Sequence, residues 1–273
     1  MTQSREPENI PEPNMMCVPP VVREALFDRP FSKEEKRLMA LPEQVLLTQQ
    51  NALAALSETS RLRVFISYIS TNQNNSPDFL MSLATAMTFT PQMFLLAAAA
   101  TGSAILWETF ITRTTEASRR QIMMAHEGQA FIWAAGGGHL KLMHQQLNAV
   151  KGGISEFLQT AGGFLPDNTQ KIIKAGEFAA FRAAAAGGHL QVMMELLHLS
   201  PSNEKAMLEA RGFAAFRDAS KHNQLIVMEK ILSLLLQKKQ NALEYGCFEV
   251  FRLAAAGGHL ETLDWLWGQC PDA

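Results

Sequence analysis

The sequence predicts an all-α protein built as a solenoid of about five helix–turn–helix repeats. The segment FAAFRAAAAGGHLQVMMELL, which begins at Phe178, recurs 35 residues later at Phe213 and 35 residues after that at Phe248. A related copy begins at Gly128, 50 residues before Phe178, and a more divergent copy begins at Gln92, 36 residues before Gly128. Self-similarity with a period of roughly 20 to 50 residues is typical of solenoids, in which each unit buries its apolar face against its neighbours.

The chain divides by pattern into three parts. Residues 1–20 hold five prolines among polar residues, which predicts a flexible tail. Residues 21–77 have helical patterns without the repeated segment, and we interpret them as a helical cap on the first repeat, because the ends of a solenoid must be covered. Residues 78–273 are predicted to form the repeats, with an insertion at about residues 150–164.

The cap is predicted to contain short helices. Ser32 and Glu35 form a capping box at the start of the first of them. Pro42 opens a second helix that runs through Leu56, since proline is tolerated in the first turn. A third helix begins near Thr59 and ends before the polar loop at residues 71–77.

The start of the repeats raises a membrane alternative. No residue from Phe79 to Trp107 is charged, and this length is enough to span a bilayer. Pro91 and Gln92 interrupt the stretch, serines and threonines dilute it, and its second half aligns with the repeats. We therefore expect two buried repeat helices and no membrane insertion.

Each repeat is predicted to form one hairpin of helices. Phe178, Phe181 and Ala185 are spaced three and four residues apart, so they share one helix face. Gly187-Gly188 ends this helix, since glycine takes left-handed backbone angles at no steric cost. His189 precedes the second helix. The linkers at residues 165–178 and 200–213 align with each other, and each has a proline, an asparagine in capping position and an apolar pair, which predicts short helices.

The core AAxxGHLxxxxxLL, which here begins at Ala184-Ala185, resembles the ankyrin repeat. The wider pattern FxAFRxAAxxGHLxVM resembles a divergent ankyrin-type repeat found in secreted effectors of Legionella and related intracellular bacteria. The resemblance covers about Gln92 to Trp267. It implies an ankyrin-like solenoid that binds a protein, and Arg182 stands where the ankyrin TPLH motif has its histidine. This chain departs from the pattern in its helical linkers and in Lys221 to Gln224, where the other copies have a Gly-Gly-His turn.

Two columns of polar residues recur in register. The first comprises His139, His189 and His259, and the second comprises Arg182, Arg217 and Arg252. Equivalent residues of stacked helices lie about 8 to 10 Å apart, whereas ligands of one zinc ion lie about 2 Å from it. We therefore expect the histidines to bond backbone near the turns and to bind no metal. For the arginines we favour a structural tie between a repeat and the next linker over a basic strip that binds a partner.

Three places are candidates for partner contacts. The position after the arginine column varies among the copies, so it is not needed for stacking; it comprises Trp133, Ala183, Asp218 and Leu253. The insertion carries Phe157 and Leu158 between two glycine pairs, and it either binds a partner or folds back onto the repeats. The last hairpin ends in Trp265 and Trp267 with no polar cap after it, which predicts a partner, another copy or further chain at this end.

Composition limits the function classes. The formal net charge of -2 gives no basis for nucleic acid as a partner. Cys17, Cys247 and Cys270 have no metal-ligand or disulfide spacing, so a reducing compartment is expected. The N-terminus is not a Sec signal peptide. No spacing diagnostic of a hydrolase, a metalloprotease or a phosphate-binding loop is present, so we expect neither an enzyme nor a cofactor.

The sequence therefore predicts a protein–protein interaction module. By resemblance it is a bacterial effector, secreted into the cytoplasm of a host cell, that binds a host protein. Two alternatives stay open. One is a ubiquitin-ligase adaptor, because Leu41 to Leu47 faintly resembles the start of an F-box. The other is an enzyme whose site lies between the N-terminal helices and the first repeats.

Overall fold

The computed structural model describes residues 18–71, 76–151, 167–235 and 249–269. Every regular element within these ranges is a helix. Contacts group the chain into two compact units, Met1–Arg113 and Thr114–Ala273. The divergent hairpin that begins at Gln92 thus belongs to the first unit, together with the N-terminal helices. The boundary between residues 77 and 78 rests on sequence pattern and stays a prediction.

The first unit contains eight helices in its described part. They are α1 (Pro20–Leu26), α2 (Lys33–Met39), α3 (Glu43–Thr48), α4 (Gln50–Ala55), α5 (Glu58–Thr71), α6 (Pro77–Ala86), α7 (Pro91–Thr101) and α8 (Ala104–Thr112). The capping box of α2 is confirmed: the Glu35 backbone N–H donates to Ser32 Oγ, and the Ser32 backbone N–H donates to the Glu35 carboxylate. The single helix predicted from Pro42 to Leu56 is wrong, because the backbone leaves helical angles at Gln49 (φ -87°, ψ 34°) and divides it in two.

A buried ion pair joins α2 to α5 in this unit. The side chains of Arg63 and Glu35 are 0% and 1% exposed, and Arg63 Nη1 lies 3.4 Å from Glu35 Oε1. The Arg63 guanidinium also lies 4.5 Å from the centre of the Phe31 ring and donates to the carbonyl oxygen of Arg29. The chain between α1 and α2 is therefore held against α5 by one cation.

The described part of the second unit repeats the hairpin. Its helices are α9 (Glu116–Met124), α10 (Gln129–Gly136), α11 (Leu140–Lys151), α12 (Asp167–Ala186), α13 (Leu190–Leu199), α14 (Glu204–Lys221), α15 (Leu225–Leu235), α16 (249–256) and α17 (Leu260–Gln269). The first helices α10, α12 and α14 pack against one another in order, and each also packs against its own second helix. The phenylalanines and alanines of these first helices form the core, led by Phe131, Phe181 and Phe216.

Both linkers are helical, as predicted, but each is joined to the next helix by a left-handed turn. Gly176, Glu177 and Phe178 have φ between +55° and +61° inside α12. The same register positions in α14, Arg211 to Phe213, have φ between +51° and +63°. The turn at His126 to Gly128, before α10, has φ between +49° and +72°. Three consecutive left-handed residues are costly for side chains other than glycine, so the recurrence marks a structural part of the repeat.

The predicted capping asparagine plays a different part. Asn203 precedes α14, but its side chain makes no capping hydrogen bond. Its Nδ2 instead donates to Ser200 Oγ at 2.7 Å and to Gln170 Oε1 at 3.2 Å. Since Gln170 lies in the preceding linker, Asn203 ties consecutive linkers together.

Candidate functional site

All three glycines of the repeat turn adopt left-handed backbone angles, and two of them also lack space for a side chain. Gly138, Gly188 and Gly258 have φ of +72°, +76° and +70°. A Cβ atom at Gly138 would lie 2.5 Å from Nδ1 of His189, which belongs to the following hairpin. At Gly188 it would meet the side-chain amide of Gln224 in the same way. The turns at Gly138 and Gly188 thus each receive a polar side chain from the hairpin that follows.

The copy that begins at Phe213 has a different residue at this left-handed turn position. Asn223 stands at the position of Gly188 and has φ +57°, and asparagine is one of the few residues that adopts this conformation at low cost. Its Oδ1 also accepts a hydrogen bond of 2.7 Å from Thr262 Oγ1, in the next hairpin. The departure at Lys221 to Gln224 therefore preserves the turn.

The histidine column bonds backbone, as predicted, at the two positions where the bond is defined. His259 Nε2 lies 3.0 Å from the carbonyl oxygen of Lys221, at the end of the preceding first helix. His189 bonds the backbone of Gly136, which holds the same register position in its own repeat. Burial lowers the pKa of His189, and this hydrogen bond opposes the shift only in part.

Two members of the arginine column, Arg182 and Arg217, bond backbone, and they bond a different linker from the one predicted. Arg182 Nη2 donates at 2.9 Å to the carbonyl oxygen of Gly176, and Arg217 Nη2 donates at 2.7 Å to that of Arg211. Both acceptors begin the left-handed turn that precedes the same helix. Burial lowers the pKa of Arg182, while the charge of Asp218 acts in the opposite direction. Arg252 pairs with Glu249 at an exposed position, and the residue that corresponds to Gly176 and Arg211 in its repeat lies outside the described residues.

The column that follows the arginines is not uniformly exposed. Trp133 and Ala183 are 2% and 6% exposed, so the prediction that they contact a partner is wrong: they are core residues. Asp218 and Leu253 are half-buried and stay candidates. Variation among the copies therefore did not distinguish buried from accessible positions in this column.

The other predicted contacts have different outcomes. Phe157 and Leu158 lie outside the described residues. In the last hairpin Trp265 is half-buried and Trp267 is 63% exposed. These two tryptophans remain candidates for a contact with another molecule.

A groove that the sequence did not predict lies between consecutive linkers. It has a volume of about 530 Å³, and its lining residues are Lys174, Glu177, Phe178, Asn203, Ala206, Ala210 and Arg211. Across it, Arg211 Nε donates to Glu177 Oε2 at 2.6 Å, so the two left-handed turns are joined by an exposed ion pair. Half-buried Phe178 provides an apolar surface beside exposed cations. The signal in the sequence is the recurrence of the linker every 35 residues, which places like side chains side by side.

The first unit holds a second cavity, of about 600 Å³, between α4 and α6. Its lining residues are Gln50, Asn51, Ala54, Met81, Ser82, Thr85, Ala86 and Thr88. These eight side chains include no acid, base or thiol. The hydroxyl of Thr85 already donates to the carbonyl oxygen of Met81.

Two further features bear on the alternatives. No helix in the described ranges is long and apolar enough to span a bilayer, and the uncharged stretch from Phe79 to Trp107 is divided among α6, α7 and the start of α8. The same ranges contain no group of three or more His, Cys, Asp or Glu side chains placed to hold a metal ion. In the F-box-like segment, Leu46 is buried and Val45 is 43% exposed.

Comparison with known proteins bears on the fold. The chain is similar to the X-ray structure of an ankyrin repeat family protein from Legionella pneumophila, with a TM-score of 0.61 and 22% sequence identity. The alignment covers 96% of this chain and 72% of that chain. No family model matches the sequence, and no curated protein matches it. The predicted all-α architecture is confirmed, and the chain has the fold of a divergent ankyrin-repeat protein in which left-handed turns connect helical linkers to the repeat hairpins.

Proposed function

We propose that this chain is a protein–protein interaction module, and that its repeats bind a segment of a protein partner in the groove between the linkers. The groove is the observation that carries the proposal. It is open, it combines the apolar ring of Phe178 with exposed charge, and it lies between two linkers that side-chain hydrogen bonds join. Of the histidines and arginines that recur, Arg182, Arg217 and His259 are occupied by backbone carbonyl oxygens. They hold the scaffold, so binding falls to the residues between them.

The chemistry of the groove favours an extended segment with one apolar and one acidic side chain. An apolar side chain would pack on Phe178 and Ala206, since apolar contact at the centre of an interface supplies most of its free energy. A carboxylate would lie near Lys174, an exposed cation at the edge of the groove. Rim charges contribute mainly to the association rate and to selectivity.

Crosslinking in the native cell tests this proposal. A photoreactive residue at Ala206, in the groove, should capture a partner, and one at Gln191, which is exposed on α13, should not. Lys174→Glu should abolish the capture, whereas Lys141→Glu, an equally exposed change on α11, should leave it intact. Capture that is equal from both positions, or that survives Lys174→Glu, would exclude the groove as the binding surface.

We further propose that the partner is a host protein and that the chain acts as a secreted bacterial effector in the reducing cytosol of the host cell. The sequence resemblance to effector repeats supports this setting, as does the Legionella origin of the similar structure. A translocation reporter fused to the chain in its own bacterium should give a signal in infected host cells. That signal should be lost when the secretion system is inactivated; a signal confined to the bacterium would contradict the proposal.

We propose that the chain has no catalytic activity. The cavity between α4 and α6 supports this, because its lining residues offer amides and hydroxyls without a base to activate them. A functional-site search with activity-based hydrolase and transferase probes should label no residue of the intact chain. Labelling at Ser82 or Thr85 would identify a nucleophile and overturn this part of the proposal.

A second candidate function is that of a ubiquitin-ligase adaptor. Val45 is one of four large apolar side chains with high exposure among the described residues, and it lies within the F-box-like segment beside exposed Pro42. Ligase components should bind the intact chain and be lost with Val45→Glu. Ile226→Glu serves as control, because it makes the same kind of change on α15 at a position that is 69% exposed, compared with 43% for Val45. Absence of ligase components from the wild-type capture removes this candidate.

A further inference from the structure

The ion pair that crosses the groove between the linkers leaves most of its arginine unused. Arg211 Nε donates to Glu177 Oε2 at 2.6 Å, and the two side chains are 56% and 64% exposed. The exposed pair of Arg252 with Glu249 differs, because Nε and Nη2 both donate to the carboxylate. Within the described residues, the Nη1 and Nη2 groups of Arg211 form no hydrogen bond. They are therefore available to a second acceptor.

The same ion pair is not needed to stack one left-handed turn on the next. The preceding turn has Glu127 at the position of Glu177, and the residue that it meets, at the position of Arg211, is Gly176. Glu127 Oε2 lies beside this glycine, 3.4 Å from where a Cβ atom would stand. These turns have the same left-handed backbone as the turns that the ion pair joins. The fold thus forms the stack with and without the pair.

The backbone of Arg211 is held independently of its side chain. Arg217 Nη2 donates at 2.7 Å to the carbonyl oxygen of Arg211, as Arg182 Nη2 does at 2.9 Å to that of Gly176. Because another arginine fixes the turn, the guanidinium of Arg211 can change its partner while the backbone stays in place.

The charges of the groove are unbalanced in favour of an anion. Its charged lining residues are two cations, Lys174 and Arg211, and one carboxylate, Glu177. The ammonium group of Lys174 is exposed and forms no ion pair with the described residues. A guanidinium binds a carboxylate best through two parallel N–H···O bonds, which fix the orientation as well as the strength of the contact. A partner that offers such a carboxylate would compete with Glu177 for Arg211.

We propose that Arg211 selects an acidic side chain of the partner segment, and that Glu177 occupies Arg211 until the partner binds. This inference rests on the proposed binding function of the groove and identifies the group that the groove recognises. The partner's aspartate or glutamate takes the guanidinium from Glu177, forms two hydrogen bonds to it and lies near Lys174. Glu177 then turns to solvent. Segments without an acidic side chain leave the resident pair intact and gain nothing from Arg211, so Glu177 adds selectivity.

Defined peptides provide the probe. An array of short, acetylated and amidated peptides carries one leucine and one glutamate at varied separation, and a second array has glutamine in place of glutamate. A third array lacks glutamate but ends in a free carboxylate, so that a terminal carboxylate is distinguished from a side chain. The intact chain should bind members of the first array, and neither of the others, in fluorescence anisotropy.

Matched variants then test the competition. Glu177→Gln should tighten binding of the selected peptide by up to about fivefold, the range that an exposed ion pair covers. Arg211→Gln should weaken it about tenfold and remove the preference for glutamate over glutamine. Glu249→Gln frees Arg252 in the same way on α16 and should bind like the wild type.

The double variant separates exchange of partners from a general change of charge. If Glu177 acts by occupying Arg211, Glu177→Gln should have little effect in a chain that also carries Arg211→Gln, because the contested guanidinium is gone. A general electrostatic effect of Glu177 would tighten binding equally in both backgrounds. Equal tightening would therefore overturn the proposal.

Urea unfolding gives a readout that needs no peptide. The midpoint of Glu177→Gln should shift no more than that of Glu249→Gln, since the turns stack without this pair at Glu127. A larger loss would show that the pair serves the fold, and the proposal would then be wrong.

Lys174→Glu distinguishes failure of this inference from failure of the groove. Where Lys174→Glu abolishes peptide binding and Glu177→Gln does not tighten it, the groove binds its partner and the roles assigned to Arg211 and Glu177 are wrong. Where no glutamate peptide binds, or binding survives Lys174→Glu, the groove is not the binding surface and both proposals are wrong.

Discussion

The imidazole of His189 rests on Gly138, so close that a Cβ atom there would lie 2.5 Å from the ring nitrogen Nδ1. The hairpins are thus held together by contact between a polar ring and a bare backbone, in addition to the alanine and phenylalanine core. Because the glycine also needs a left-handed φ, backbone strain and packing make separate contributions at each turn. The last hairpin allows these contributions to be measured apart.

Gly188→Ala and Gly258→Ala should differ in cost. Both place a Cβ on a left-handed residue, which costs about 1 kcal/mol. At Gly188 the methyl group also meets the amide end of Gln224, a flexible side chain that must turn away, so the total should exceed the backbone cost by about 1 kcal/mol or less. At Gly258 the space is open, and only the backbone cost should appear. Urea unfolding of the two variants measures the difference, and equal losses would show that the turn glycines serve backbone angle alone.

The stability of the chain should fall on mild acidification in a way that depends on His189. Its pKa is lowered in the fold by burial, so the unfolded chain binds the proton more readily. This contribution is complete above the ordinary imidazole pKa of about 6.5 and is lost as the pH falls through the lowered value. His189→Gln places at this position the residue that the copy beginning at Phe213 has there, Gln224. Its urea midpoint should fall less than that of the wild type between about pH 7.5 and pH 5; parallel curves would contradict the assignment.

The arginine column should separate into structural and dispensable members. Arg182→Met keeps the aliphatic stem but removes the hydrogen bond to the Gly176 carbonyl, and it should cost about 1 to 2 kcal/mol. Arg252→Met removes an exposed pair with Glu249 and should change the urea midpoint little. A larger loss at Arg252 than at Arg182 would mean that the left-handed turn does not depend on its guanidinium.

The buried ion pair of the first unit should be the most sensitive polar contact in that unit. Arg63→Met leaves the Glu35 carboxylate buried without its cation and frees the Arg29 carbonyl, so it should cost about 3 to 5 kcal/mol. Glu34→Gln breaks the exposed pair with Arg37 on the same helix and is the matched control, with little expected effect. Chemical unfolding followed by circular dichroism distinguishes the two, and a mild effect of Arg63→Met would place the anchor of α2 in its apolar contacts.

The sequence predicted the hairpins and their turns because the chain repeats them. Comparing Gly188 with Gly138 and Gly258 identified the helix end, and the phenylalanine spacing identified the buried face. The cap was less regular. The break at Gln49 between α3 and α4 has no proline or glycine to mark it, so the apolar spacing from Val45 to Leu56 looked like one helix.

The left-handed turns of the linkers escaped sequence analysis for a physical reason. Phenylalanine and arginine rarely take a positive φ, yet Phe178 and Arg211 do so. Tertiary packing stabilises this conformation, and the local preferences of these residue types do not predict it. A faint signal exists: each turn has one glycine, at Gly128, Gly176 or Gly212, in a different one of the three places. Because the glycine occupies a different position in each turn, alignment of the copies shows no shared glycine column.

The same turns explain how the repeats tolerate unequal spacing. The turn at His126 and the turn at Gly176 are 50 residues apart, whereas the turns at Gly176 and Arg211 are 35 apart, yet all three adopt the same backbone form. A hairpin is therefore oriented by the three residues immediately before it, independently of how much chain precedes them. For protein engineering, the chain before the linker helix, where the sequence already holds its insertion at about residues 150–164, is a suitable place for added peptides, tags or labels, since length added there leaves the downstream hairpin in register.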